Sequence, residues 1–278
     1  PTRFVHKFIP AIMAIADDAK SFLQTLLQNE AQLMDLLSYI FLCWAFSVIV
    51  SLQYVSAPYG RYSRGGWGVL IPGKVAWFVQ ELPSFVVPLY LAVFTDCPRA
   101  GEKRNQIALS LFLLHYFQRT FIFSCLIKGG KPTPLVPFVL AFIFCLLNGY
   151  LQGGHLLRYA DLSTVSDFRF YAGILIFFAG MSINIYSDHV LRNLRKEGEK
   201  GYKIPYGGMF EYVSGANFFG ESLEWIGLAV MCGTLPTLAF AIFTACNIGP
   251  RACQHHRWYQ EKFDDYPRNR KAFIPFIL

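Results

Sequence analysis

NIYSDHVLRNLRKEGEKGYKIPYGGMFEYVSGANFFGESLE, residues 184–224, sets a basic loop between two apolar segments that each carry polar groups at the loop end. Asn184, Asp188, Arg192 and Arg195 fall at i, i+4, i+8 and i+11, a spacing that lines them along one face of a helix. Past the loop, Asn217, Glu221 and Glu224 repeat the pattern at i, i+4 and i+7. Two facing helices are therefore predicted, presenting amide, carboxylate and guanidinium groups where membrane meets water.

The chain around this stretch is too apolar for a soluble domain. Of its 278 residues 54% are hydrophobic and 15% charged, where a soluble domain carries about 25% charged residues. Apolar runs long enough to cross a bilayer lie at 33–55, 75–95, 106–127, 134–152, 170–190, 212–232 and 235–250. The expected fold is an all-α integral membrane protein of about seven transmembrane helices over residues 32–278, preceded by an amphipathic surface segment at 1–31. The net charge of +7 resides mainly in loops between these runs, so topology, and not nucleic acid, accounts for it. With a cytosolic C-terminus, sixteen Lys and Arg residues fall on the cytosolic side and eight on the other, with Arg119 inside a span. The positive-inside rule then places the Arg192–Lys203 loop and the C-terminus in the cytosol and the N-terminus opposite.

Several polar groups interrupt the spans. Gln80 and Glu81 lie about a third of the way into the second, where an ionised carboxylate is costly and a carboxyl group marks a candidate site. Apolar surroundings favour the protonated acid, which makes Glu81 a hydrogen-bond donor. Pro83 and Pro88 follow, free backbone carbonyls and bend the helix, opening room beside the acid. In the third span the spacing of His115, Tyr116, Gln118 and Arg119 spreads them around the helix, and Arg119 is expected to snorkel to the surface. Asn148, Gly149, Tyr150 and Gln152 read as helix–helix hydrogen bonds and close packing.

Near the C-terminus Arg251, His255 and Tyr259 at i, i+4 and i+8 put a cation, an imidazole and a phenol on one helical face. The cytosolic ends thus offer Arg195, Lys196, Arg251 and His255 to phosphates, and Asn184, Asp188, Asn217 and Glu221 to amide and ribose groups. That mixture suits a phosphorylated dinucleotide in a cytosol-facing cavity better than anionic lipid. The loop SAPYGRYSRGGWGVLIPGK, residues 56–74, holds neither a GxGxxG nor a Walker sequence, so a nucleotide is not held in the Rossmann or P-loop manner. Seven scattered cysteines, no CxxC and no HExxH argue against a metal site, since the adjacent His255 and His256 point in different directions on a helix.

The strings WFVQELPSF, LLHYFQRTFIF, KGGKP, FCLLNGYLQ, GMSINIYSDHVLRNLRK, GYKIPYGGMFEYVSGANFFGESLEW and HHRWYQEKFDDYPRNRKAFIPFIL occur in this order between about Val75 and Leu278. Together they resemble the steroid 5α-reductase family, nearest its type 1 and type 2 vertebrate members. Tyr186 departs from the family's expected INIHSD, while Asn184 and Asp188 are retained. The resemblance implies a seven-helix enzyme of the endoplasmic-reticulum membrane that uses NADPH to reduce the Δ4 double bond of 3-oxo steroids such as testosterone or progesterone; a monomer is the expected state. Carried over by position, Glu81 and Tyr116 hold the steroid ketone and Trp77 lines the steroid cavity. Asn184, Asp188, Arg195, Tyr202, Asn217, Glu221, Arg251, His255 and Tyr259 surround NADPH. The rival readings are a membrane enoyl-CoA or polyprenal reductase, a methyltransferase of the isoprenylcysteine type, and a non-catalytic sterol-binding protein.

Overall fold

The computed structural model of the chain describes residues 21, 29–195, 199 and 201–278. The surface segment expected at 1–31 falls almost wholly outside the described residues, and so does Lys196.

Among the described residues seven helices exceed ten residues: α1 (Glu30–Tyr54), α2 (Gly73–Phe94), α3 (Lys103–Leu126), α4 (Leu135–Arg158), α5 (Asp167–Asn193), α6 (Ala216–Cys232) and α7 (Leu235–Lys262). Helices α1 to α5 are long and apolar enough to cross a membrane, and only 22–44% of the residues in their apolar windows are buried. The remainder, including Phe46, Val93 and Leu175, forms an exposed apolar surface of the kind that faces lipid. Strands β1 (Leu70–Ile71) and β2 (Thr133–Pro134) pair antiparallel, tying the loop after α1 to the loop before α4.

Local chemistry sets the helix ends. The Asn29 and Ser166 side chains accept from backbone N–H groups in the first turns of α1 and α5. Gly233, at φ 66°, ends α6 in the left-handed conformation, and Pro236 opens α7. This resolves the boundary between the last two apolar runs. α7 continues twelve residues beyond the run at 235–250, carrying the polar face with Arg251 and His255. α5 stops at Asn193, so Arg195 lies past the helix and not on the face that holds Asn184 and Asp188.

Packing is closest between α5 and α6. A Cβ added to Gly180 would lie 2.3 Å from the Glu224 backbone nitrogen, and one on Gly220 would lie 2.5 Å from that of Asn184. Small residues at such a crossing let two backbones approach inside an apolar solvent that supplies no hydrophobic drive of its own. α2 meets α4 in a related way, with Pro83 against Gly149 and Pro88 against Gly153. The two prolines are buried in this helix contact, where the sequence suggested that they open space beside Glu81.

Polar groups fasten the far end of the bundle. Glu30 accepts hydrogen bonds from the Tyr150 and Tyr159 hydroxyls at 2.7 and 2.6 Å and from Arg158, joining α1 to the end of α4. Gln152 reaches the Pro236 carbonyl at 2.9 Å and Asn148 at 3.2 Å, the helix–helix role read from the sequence. The main core cluster gathers Phe112, Tyr116, Phe177, Trp225 and Phe240.

Because Gly180 leaves no room for a side chain, Gly180→Leu should force α5 away from α6 and cost about 1–3 kcal/mol of stability. The check is the thermal unfolding midpoint of detergent-purified protein.

Candidate functional site

The site begins in α3, whose ladder widens to a π-helical stretch at Gln118–Phe123. Such bulges inside α-helices are frequent at functional sites. His115, Tyr116 and Arg119 are all buried on one side of α3 and Gln118 only partly, so these three share an inward face where the spacing suggested scatter. Arg119 does not snorkel. Its Nη1 donates to Asp188 Oδ2 at 2.7 Å, and its guanidinium lies 4.0 and 5.1 Å from the Phe123 and Trp77 ring centroids.

From this ion pair a polar network extends into α6. Asn217 donates to Asp188 Oδ1 at 3.3 Å, and Asn184 donates to the Asn217 backbone carbonyl at 2.9 Å. Asn184 and Asp188 on α5 therefore meet Asn217 on α6, as the spacing in the 184–224 stretch predicts. Glu221, one turn on, is half-buried and makes no hydrogen bond or ion pair among the described residues, although its charge acts on Arg119.

A second group centres on Glu81. Its Oε1 accepts from Gln80 at 3.4 Å and its Oε2 lies 3.8 Å from Cys145 Sγ. Cys145 in turn accepts at its carbonyl from the Ser84 hydroxyl at 2.8 Å. The Tyr116 hydroxyl accepts from Asn148 Nδ2 at 3.2 Å, and Asn148 lies one turn beyond Cys145 on α4. Glu81 and Tyr116 thus belong to one polar cluster between α2, α3 and α4. Trp77, half-buried, stands edge-on to Phe123 at 5.1 Å.

The third group lies along α7. Arg251 covers the rings of Tyr59 and Phe218 at 4.6 and 4.9 Å, and His255 meets those of Tyr62 and Phe218 at 5.4 and 5.7 Å. Tyr259 accepts at its hydroxyl from Arg61 Nη2 at 2.9 Å. Arg61 also sits over Trp258, Tyr259 and Tyr202 at 3.9, 4.5 and 4.9 Å. Residues 59–62 therefore run along the face of α7 that carries Arg251, His255 and Tyr259. Arg195 is exposed, donates to the Gly201 carbonyl at 3.4 Å and lies 5.9 Å from the Tyr202 ring, whereas Tyr259 is almost fully buried, bonded to Arg61 and stacked on Tyr266.

His255 lies beyond the apolar part of α7. Burial, and then the neighbouring Arg61 and Arg251, hold its imidazole well below its ordinary range, so it is neutral at physiological pH. Burial also pushes the Tyr59 phenol up, opposed by the Arg251 charge that lies over its ring.

Tyr59, Arg61 and Tyr62 were missed by sequence reasoning, which searched the 56–74 loop for phosphate motifs only. The signal was there in the alternation of tyrosine and arginine, a pattern suited to cation–π contacts. Tyr186 lies on the glycine pair after the basic loop: a Cβ on Gly208 would meet its ring at 2.6 Å. Among the described residues no cluster of three or more His, Cys, Asp or Glu side chains is placed to hold a metal ion.

The fold and this interior define a helical membrane protein whose apolar bundle surrounds a charged, aromatic-lined centre. The family profile described as 3-oxo-5-alpha-steroid 4-dehydrogenase matches residues 131–278. The chain is 51% identical over 252 residues to 3-oxo-5-alpha-steroid 4-dehydrogenase 1 of Rattus norvegicus, covering 90% of this chain and 97% of that protein. It is 44% identical to the Homo sapiens protein of the same name, with the same coverage. Against 3-oxo-5-alpha-steroid 4-dehydrogenase 2 of Homo sapiens it is 46% identical over 231 residues, 81% of this chain and 90% of that protein. The chain belongs to the 3-oxo-5-alpha-steroid 4-dehydrogenase family.

Removing the Asp188 carboxylate leaves Arg119 buried without its ion-pair partner. Asp188→Ala should destabilise the protein by about 3–5 kcal/mol, with a smaller loss for Asp188→Asn, which keeps a hydrogen-bond acceptor; unfolding midpoints of the purified variants check the order.

Proposed function

We propose that this chain reduces the Δ4 double bond of 3-oxo steroids to the 5α-dihydro product with NADPH, as a monomer crossing the endoplasmic-reticulum membrane seven times. Family membership makes it an oxidoreductase acting on a CH–CH bond. In this proposal the C-terminus is cytosolic and the N-terminus lumenal, and the cofactor enters a cavity open to the cytosol.

The observation that carries the reading is that Glu81 and Tyr116 each meet a polar residue of α4, Cys145 and Asn148, and these two lie one helical turn apart. Addition of hydride to the β-carbon of an enone places negative charge on the carbonyl oxygen. Two preorganised donors in a dry, low-dielectric site stabilise that charge. A protonated Glu81 carboxyl and the Tyr116 hydroxyl fill this role, and the resulting enolate takes a proton at its α-carbon. Trp77 and the apolar walls bind the steroid body and exclude water.

Bound NADPH supplies the hydride. The groups proposed to hold it suit a polyanion with amide and ribose edges. Arg251 makes ring contacts and no hydrogen bond, Arg61 keeps a buried Nη1 without a partner, and Glu221 makes neither a hydrogen bond nor an ion pair among the described residues. Arg251 and Arg195 are proposed for the phosphates, with His255, Tyr259 and Tyr202 beside them. Asn184, Asp188, Asn217 and Glu221 are proposed for the nicotinamide and ribose.

Incubating detergent-purified protein with testosterone or progesterone and NADPH, and identifying the product, tests the reaction. A product other than the 5α-dihydrosteroid, or none, removes the reading. Glu81→Gln should keep NADPH binding and lose about 10²–10³-fold in turnover, as expected for one lost oxyanion donor. Arg195→Ala and Arg251→Ala should raise the apparent KM for NADPH far more than that for steroid; equal effects on both would argue against phosphate recognition.

A further inference from the structure

The most completely buried histidine–carboxyl hydrogen bond among the described residues has no task in the reaction above. His115 Nδ1 lies 2.8 Å from Glu224 Oε1, the side chains being 5% and 0% exposed. Glu224 Oε2 has no hydrogen-bond partner among the described residues. An apolar pair of the same volume would hold α3 against α6 at lower cost, since an unsatisfied buried oxygen is unfavourable. Simple helix docking therefore does not account for these two residue types.

Their surroundings lead to the phenol of Tyr116. The imidazole stands edge-on to the Tyr116 ring at 5.1 Å and packs on Trp225 at 4.4 Å. Trp225 lies nearly parallel to the Tyr116 ring, 6.0 Å away at 28°. Two neighbours thus bound one ring, and both are placed by consecutive residues of α6. The α6 backbone at that point is immobilised by the Gly180 crossing, where the Glu224 nitrogen sits too close to α5 for any side chain to intervene.

We propose that Glu224 and His115 are positioning residues for Tyr116. The carboxyl group, fixed where α5 and α6 meet, orients the imidazole through Nδ1. The imidazole and Trp225 then hold the phenol ring so that its hydroxyl meets the steroid carbonyl oxygen in the direction where charge develops. The inference rests on the reading of Tyr116 as a carbonyl donor.

The test is a double-mutant cycle on the purified full chain. Its readouts are single-turnover conversion of radiolabelled progesterone at saturating NADPH, steroid KM, and the NADPH-induced rise in melting temperature. Glu224→Gln and His115→Gln should each lower turnover about tenfold or more, with steroid KM and the NADPH-induced shift little changed. In a Tyr116→Phe background either change should cost less than about twofold further, because the hydroxyl it orients is gone. Undiminished losses in that background, full turnover in both single variants, or loss of the NADPH-induced shift in both would overturn the inference and leave Tyr116 in its role. Full turnover in Tyr116→Phe alone would remove the reading on which the inference depends.

Discussion

A guanidinium that stays charged sits inside this apolar bundle, and the arrangement around it follows from that constraint. Arg119 cannot give up its proton, and an unpaired cation at such a place is among the costliest groups a membrane protein can bury. Asp188 answers it directly at 2.7 Å, the Trp77 and Phe123 rings cover it, and the charge of Glu221 acts on it. One side chain of α3 is thereby bound to α2 and α5, and through Asp188 to Asn217 of α6. The π-helical turn that begins at Gln118 sits where this side chain turns inward.

The backbone packing has to permit that convergence. Gly180 and Gly220 bring α5 and α6 so close that Asn184 and Asp188 face Asn217 across the crossing, and Glu224 is held beside His115. Pro83 and Pro88, seated on Gly149 and Gly153, draw α2 against α4 and set Glu81 next to Cys145. Small residues at the crossings and long polar side chains one turn away are a single device: the first sets the separation that the second must span.

Over this interior the segment Tyr59–Tyr62 crosses α7, placing two tyrosines and an arginine against Arg251, His255 and Tyr259. Three cations, Arg61, Arg251 and Arg195, thus stand at one end of the bundle and lean on aromatic rings. Rings stabilise a cation without consuming its hydrogen-bond donors, which keeps those of Arg251, and Arg61 Nη1, available to an anionic ligand. The same crowding of positive charge and burial keeps His255 neutral.

Composition and periodicity by themselves determined that the chain is a helical membrane protein, where its seven long helices begin to within a few residues, and that polar groups gather at the 184–224 stretch. These properties are local: lipid demands long apolar helices with every backbone group satisfied, and a 3.6-residue period shows which side chains share a face. The motifs from Trp77 to Leu278 also carried the family. Tertiary structure alone decided that Arg119 turns inward to Asp188, that α5 ends before Arg195, that the α2 prolines pack against α4, and that Tyr59, Arg61 and Tyr62 belong beside α7. Each depends on partners far apart in the chain, such as Arg61 and Tyr259 or His115 and Glu224, and a pattern within one helix has no information about what a second helix places opposite it.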